Sequence, residues 1–140
     1  MPTAFDLEMS ADDRGIICSR YTGVFDVARW AELYAQALTP RLIRANEQFA
    51  PHVADLRGLK PSQGDWVEDS QKVFAHLVKM GESRGRRALI VGDNPEAAMA
   101  ARFFIAFKKA VHDRGGEPRI FEDFDAGYAW AAEGFRVEAL

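Results

Sequence analysis

Apolar positions recur along the chain with two spacings, alternate-residue and helical, and the switches between them mark out the elements. Thr3 to Met9 reads as a short strand, followed by a polar turn, Ser10-Ala11-Asp12-Asp13-Arg14-Gly15. Ile16 to Tyr21 reads as a second strand, stopped by Thr22-Gly23, and the short connection makes the two an antiparallel hairpin. Val27, Trp30, Ala31, Tyr34 and Leu38 then recur at helical spacing. Asp26 is placed to cap this helix, Phe25 and Trp30 to staple its start, and Thr39-Pro40 to end it. A loose segment, Arg41 to Gln48, leads to a buried strand around His52 to Leu56, after which Leu59 to Gly64 reads as a loop.

Asp65 and Glu68 open a second helix whose apolar face is Trp66, Val73, Phe74, Leu77 and Val78, with Gly81 as its stop. Arg87 to Val91 is the fourth strand. Asn94, with Pro95 at the first helical position, begins a third helix running to about Asp113, and Gly115-Gly116 breaks it. A strand from Pro118 to Phe121 precedes a final helix from about Asp125 to Glu133. The order is abbreviated to ββαβαβα, although the elements just read number five strands and four helices. Alternation after the hairpin implies parallel strands joined by right-handed crossovers. The expected fold is a single α/β domain over residues 1–140, a mixed five-stranded sheet covered by four helices.

Composition adds exclusions. At 140 residues, 48% hydrophobic and 28% charged, the chain has the make-up of one ordinary globular domain. No apolar run approaches the roughly eighteen residues of a membrane span. The opening Met1-Pro2-Thr3-Ala4-Phe5-Asp6 lacks the basic and apolar regions of a signal peptide. A lone cysteine, Cys18, excludes an intramolecular disulfide and a multi-cysteine metal site. A cytoplasmic location is expected. A net charge of −3 supplies no general attraction for nucleic acid or anionic membrane, so neither is an expected partner.

No catalytic constellation stands out. His52, His76 and His112 fall on a strand and two different helices, without metal-ligand spacing, and read as core or surface histidines. Cys18, on an apolar strand, reads as a small buried side chain. Neither a nucleophile elbow nor a phosphate loop is present. The expectation is a non-enzyme without cofactor or metal.

Charge is segregated instead. Parallel strands would end at an edge carrying Asp55, Asp65, Glu68, Asp69, Asp93, Glu96, Glu122, Asp123 and Asp125 against Arg57 and Lys60. Ligands bind at that edge in open α/β sheets. Here Asp65, Asn94 and Asp125 are placed to take up the helix N–H groups themselves, which argues against phosphorylated ligands. Asp55, Arg57, Asp65, Asp93 and Asn94 are the candidate residues, either as simple helix caps or as a site for a cation, an amine or a basic partner. The opposite edge is basic, with Lys79, Arg86, Arg87, Lys108 and Arg119 among its residues, and complements the helix dipoles. The third helix is apolar around most of its circumference. Met99, Phe103, Phe104 and Phe107 are therefore candidates for a subunit interface, for an apolar ligand, or for deep burial.

Three segments carry a family resemblance: Tyr21-Thr22-Gly23 before the first helix, Val53-Ala54-Asp55-Leu56-Arg57-Gly58, and Phe121 to Trp130. In order and spacing they resemble the SpoIIAA-like family of STAS domains (sulfate transporter and anti-sigma factor antagonist), small bacterial α/β proteins. The resemblance implies a regulatory or ligand-sensing module that binds nucleotides, lipids or proteins. The family's phosphorylatable serine has no counterpart: the equivalent positions are Gln63-Gly64-Asp65, with Ser62 one residue away and Ser70 inside the helix. The expected function is thus a non-enzymatic STAS-like regulatory or protein-interaction module, homo-oligomeric as a dimer, with a possible protein partner. The alternative is a binder of an apolar or amphipathic small molecule beside the third helix.

Overall fold

The computed structural model describes residues 4–37, 50–61, 65–79, 85–111 and 118–135. Along them run β1 (Asp6–Ala11), β2 (Ile17–Val24), α1 (Val27–Ala37), β3 (His52–Lys60), α2 (Trp66–Lys79), β4 (Arg87–Ile90), α3 (Pro95–Val111), β5 (Pro118–Phe121) and α4 (Phe124–Ala132). The order is ββαβαβαβα, one strand–helix unit longer than the shorthand read from the sequence. The five strands form one mixed sheet in sequential order β1-β2-β3-β4-β5; β1 is antiparallel to β2 and the other neighbours are parallel.

Sequential order dictates where the helices lie. Right-handed crossovers that always step in one direction put every crossover helix on the same face. Side chains of α1, α2 and α3 accordingly share one core with Leu7, Ala54, Leu56 and Leu89. The last helix is bound by no crossover. It covers the other face, where Ala131 and Ala132 pack with Ile16, Val53, Ala88 and Ile90. Alternation along β3 and β4 divides the two cores: Val53 and Ala54 face opposite ways, as do Ala88 and Leu89.

Several boundaries differ from the sequence reading. Thr22-Gly23 does not stop β2, because Thr22, Gly23 and Val24 pair with Gly58, Leu59 and Lys60 beyond a register shift. That ladder also lengthens β3 through positions read as loop. The first strand reaches Ala11, paired with Ile17. Gly81, Gly115-Gly116, His112, Ser62 and the segment from Leu38 to Gln48 lie outside the described residues.

The caps follow local chemistry. Asp26 accepts from the N–H groups of Ala28 and Arg29, at 3.0 and 3.3 Å. Its neighbour Phe25 packs its ring on Phe5 and Trp66. The cap of α4 is Asp123, not Asp125: Asp123 has an extended backbone and accepts from Ala126 N–H at 3.0 Å, while Asp125 sits inside the first turn. Gly127 then sets how close α4 can lie. A Cβ there would overlap Ile90 Cδ1 and come within 3.2 Å of the Phe121 ring. Tyr128 donates its hydroxyl to Asp12, so the same helix is tied to the β1–β2 turn.

Candidate functional site

The acidic edge is built from local stitching. Asp55, the last inward residue of β3 on the α4 face, holds Arg57 through Nε at 2.9 Å and Nη2 at 2.8 Å, and accepts the Arg57 backbone N–H at 3.1 Å. Burial raises the Asp55 carboxyl, but the Arg57 hydrogen bonds outweigh it and hold the group below the usual carboxylate range. The aliphatic stem of Arg57 lies across Gly92, whose φ of 58° and missing side chain leave the room; a Cβ there would stand 3.1 Å from Arg57 Cγ and Cδ.

Asn94 works in two directions. Its Oδ1 accepts from the N–H groups of Glu96 and Ala97 as the α3 cap, while Nδ2 donates to the carbonyls of Arg57 at 3.0 Å and Leu59 at 2.8 Å. The end of β3 is thereby clamped to the start of α3. Asp65 accepts from Val67 N–H at 2.8 Å as the α2 cap, and Asp93 is exposed. Glu96 accepts from the Trp66 indole at 2.6 Å. The structure therefore joins Asp55, Arg57 and Asn94 into one cluster, leaves Asp65 and Asp93 apart from it, and occupies most of these groups with intramolecular bonds.

The open space is elsewhere. α2 lies closest to α3, with a smaller contact to α1, and its Trp66 and Leu77 share the core with Leu56 and Leu89 of the sheet. Beneath it lies a cavity of about 80 Å³. Ala54, Leu56, Leu59 and Leu89 form its floor on the sheet; Trp66, Ser70, Val73 and Leu77 line it from α2; Ala100, Ala101 and Phe104 close it from α3, and Trp30 from α1. The space has a steric origin. Ala54, Ala100, Ala101 and Ser70 are small at the positions where facing elements would otherwise interdigitate.

Of the apolar candidates on α3, only Phe104 reaches this cavity. Phe103 is half-buried against the same core, Phe107 is half-buried, and Met99 is 45% exposed. Of the candidates at the acidic edge, none lines it. Asp69, read only as part of that edge, does; burial raises its carboxyl, and Glu68, Asp65 and Asp26 add to the rise against the opposing pull of Lys72.

Sequence reasoning also missed the polar groups at the other end. Arg87 opens β4 at the amino edge, where its position assigned it, and also lines the cavity. Lys108, another of those residues, is only 8% exposed. Tyr21 lines the cavity as well, and its hydroxyl accepts from Trp30 Nε1 at 3.0 Å. Burial pushes the Tyr21 phenol up to about 12, so it keeps its proton. A signal for the site did exist. Ser70 interrupts the apolar stripe of α2 and is 5% exposed, a small hydroxyl where a large side chain would fill the interface.

Cys18 is half-buried on β2, and burial, followed by the nearby Asp12, raises its thiol away from the reactive thiolate. Among the described residues no group of three His, Cys, Asp or Glu side chains is gathered to hold a metal ion, and no helix is long and apolar enough to cross a membrane. Comparison with family models, with curated proteins and with solved structures found no match.

Proposed function

We propose that this chain is a non-catalytic binding module of STAS-like architecture that holds a small apolar or amphipathic molecule in the cavity beneath α2. The observation that carries this reading is the space itself: about 80 Å³, lined by aromatic and aliphatic side chains, in an interface that would ordinarily be packed. An engineered cavity of about 150 Å³ holds benzene, so this one, at about 80 Å³, suits a chain of about three carbons.

Self-association through α3 has less behind it. Phe103 and Phe104 turn toward the core, which leaves Met99 as the exposed large apolar side chain of that helix among the described residues.

The three tryptophans test the cavity reading. Trp30 and Trp66 line the cavity, whereas Trp130 packs on Phe121 on the far side of the sheet. In NMR spectra of the whole chain, titration with propan-1-ol should move the indole N–H signals of Trp30 and Trp66 and leave that of Trp130 in place. Ser70→Leu, which fills the cavity, should abolish the response. Equal movement of all three indoles, or an undiminished response in Ser70→Leu, would sink the reading.

A further inference from the structure

The cavity has unlike ends, and this matters for what it takes. Asp69 stands in the first turn of α2, just past the carboxyl edge of β3, while Arg87 stands at the first residue of β4, at the amino edge. One wall group is therefore anionic and the other cationic, at opposite ends of the strands.

The Arg87 end carries the cationic group of the lining. The Arg87 guanidinium carbon lies 5.9 Å from the centre of the Phe104 ring. Tyr21 stands further along the strands, between Arg20, which pairs with Asp55, and Thr22, which pairs with Gly58, and its hydroxyl accepts the Trp30 N–H. His52 is the ladder neighbour of Arg87 across β3 and β4, on the same face of the sheet as Ala54 of the cavity floor. It is 4% exposed, and its Nε2 finds no partner among the described residues. Burial, followed by the charge of Arg87, holds this imidazole well below its ordinary pKa, so it is neutral and Nε2 is free to hydrogen-bond. A buried polar atom without a partner is uncommon and asks for a group to satisfy it. The Asp69 end has no comparable set: its carboxylate feels Glu68, Asp65 and Asp26 and would repel an anion.

We propose that the ligand is a short-chain carboxylic acid, its carboxylate held by Arg87 at the amino edge and its apolar body lying over Leu89. Arg87 supplies the charge, and His52, its ladder neighbour, a further polar contact through one water. Asp69 fixes the orientation by excluding the carboxylate from its own end. This inference rests on the cavity reading above and adds the head group to it.

Propanoate, propan-1-ol and propylamine share one body and differ in the head, so their ranking decides the matter. With the full chain, followed by the Trp30 and Trp66 indole signals, propanoate should bind at least about tenfold more tightly than the alcohol. Arg87→Met keeps the apolar stem and removes the charge; it should bring propanoate down to the alcohol's level. Equal affinity of acid and alcohol, or tightest binding by the amine, overturns the head-group assignment while the indole response preserves the cavity reading. No response to any of the three overturns both. Should Arg87→Met fail to fold, the wild-type ranking still decides.

Discussion

Gly127 lets α4 lie directly on Ile90 and Phe121, whereas α2 on the opposite face leans on its neighbouring helices and leaves a cavity above Ala54 and Leu89. Both helices belong to the same small domain and face the same β4. The difference comes from side-chain size. A glycine removes the one atom that would hold α4 off, while three alanines and a serine take away the atoms that would otherwise fill the space under α2. The close contact under α4 leaves no room for a ligand. The space beneath α2 does leave room, and Tyr21, Asp69 and Arg87 stand among its lining.

Substitutions can break this comparison from either side. Gly127→Leu should give the largest effect, a loss of about 3 kcal/mol in chemical denaturation, because Ile90 is fully buried and has little room to yield. An exposed helical glycine would instead gain up to about 1 kcal/mol from the same change, so the sign alone decides whether α4 is seated as described.

Asp55→Ala should cost about 2 kcal/mol. It leaves Arg57 unpaired, but Arg57 keeps 48% of its side chain in water, which reduces the penalty below that of a fully buried pair. Because the folded pKa of Asp55 is depressed, the contribution of the pair is present above the ordinary carboxylate range and is lost as pH falls through the folded value. Wild type should therefore lose this increment in acid, and Asp55→Ala should have none to lose. Similar acid sensitivity in both proteins would show that the Asp55–Arg57 cluster is not a stabilising element.

His52 acts at milder pH. Its folded pKa lies well below 6.5, so between those values the unfolded chain binds a proton that the folded chain refuses. Stability should thus fall as pH drops below about 6.5, by at most about 1.4 kcal/mol per unit, and His52→Leu should flatten that slope. An unchanged slope in the variant would place the titration on another group. The smallest effect belongs to Ser70→Leu: a filled cavity should keep stability within about 1 kcal/mol of wild type, whereas a close-packed wall would lose about 1–3.

What could be read from the residues alone follows the range of the interactions. Caps made by a side chain two or three residues from its partner were legible at Asp26, Asp65 and Asn94. At the last helix several acids stood close together, and backbone geometry, not residue type, selected Asp123 over Asp125. Thr22-Gly23 read as a stop because the partner that carries β2 onward, Gly58 to Lys60, is distant in the chain. The acidic edge was visible as a set of carboxylates, but not its consumption by contacts such as Trp66 to Glu96, thirty residues apart. Least legible was the cavity. No residue encodes an empty space; it arises where small side chains from β3, α2 and α3 come to face one another.

Xenon tests the central claim with the fewest assumptions, since it enters apolar voids without needing a head group. Crystals of the whole chain pressurised with xenon should show it bound between Trp30, Leu56, Leu89 and Ala101, with no site beneath α4. Absence of xenon from that position, with Ser70 and Val73 of α2 seated directly on Ala54 and Leu89, would contradict the account.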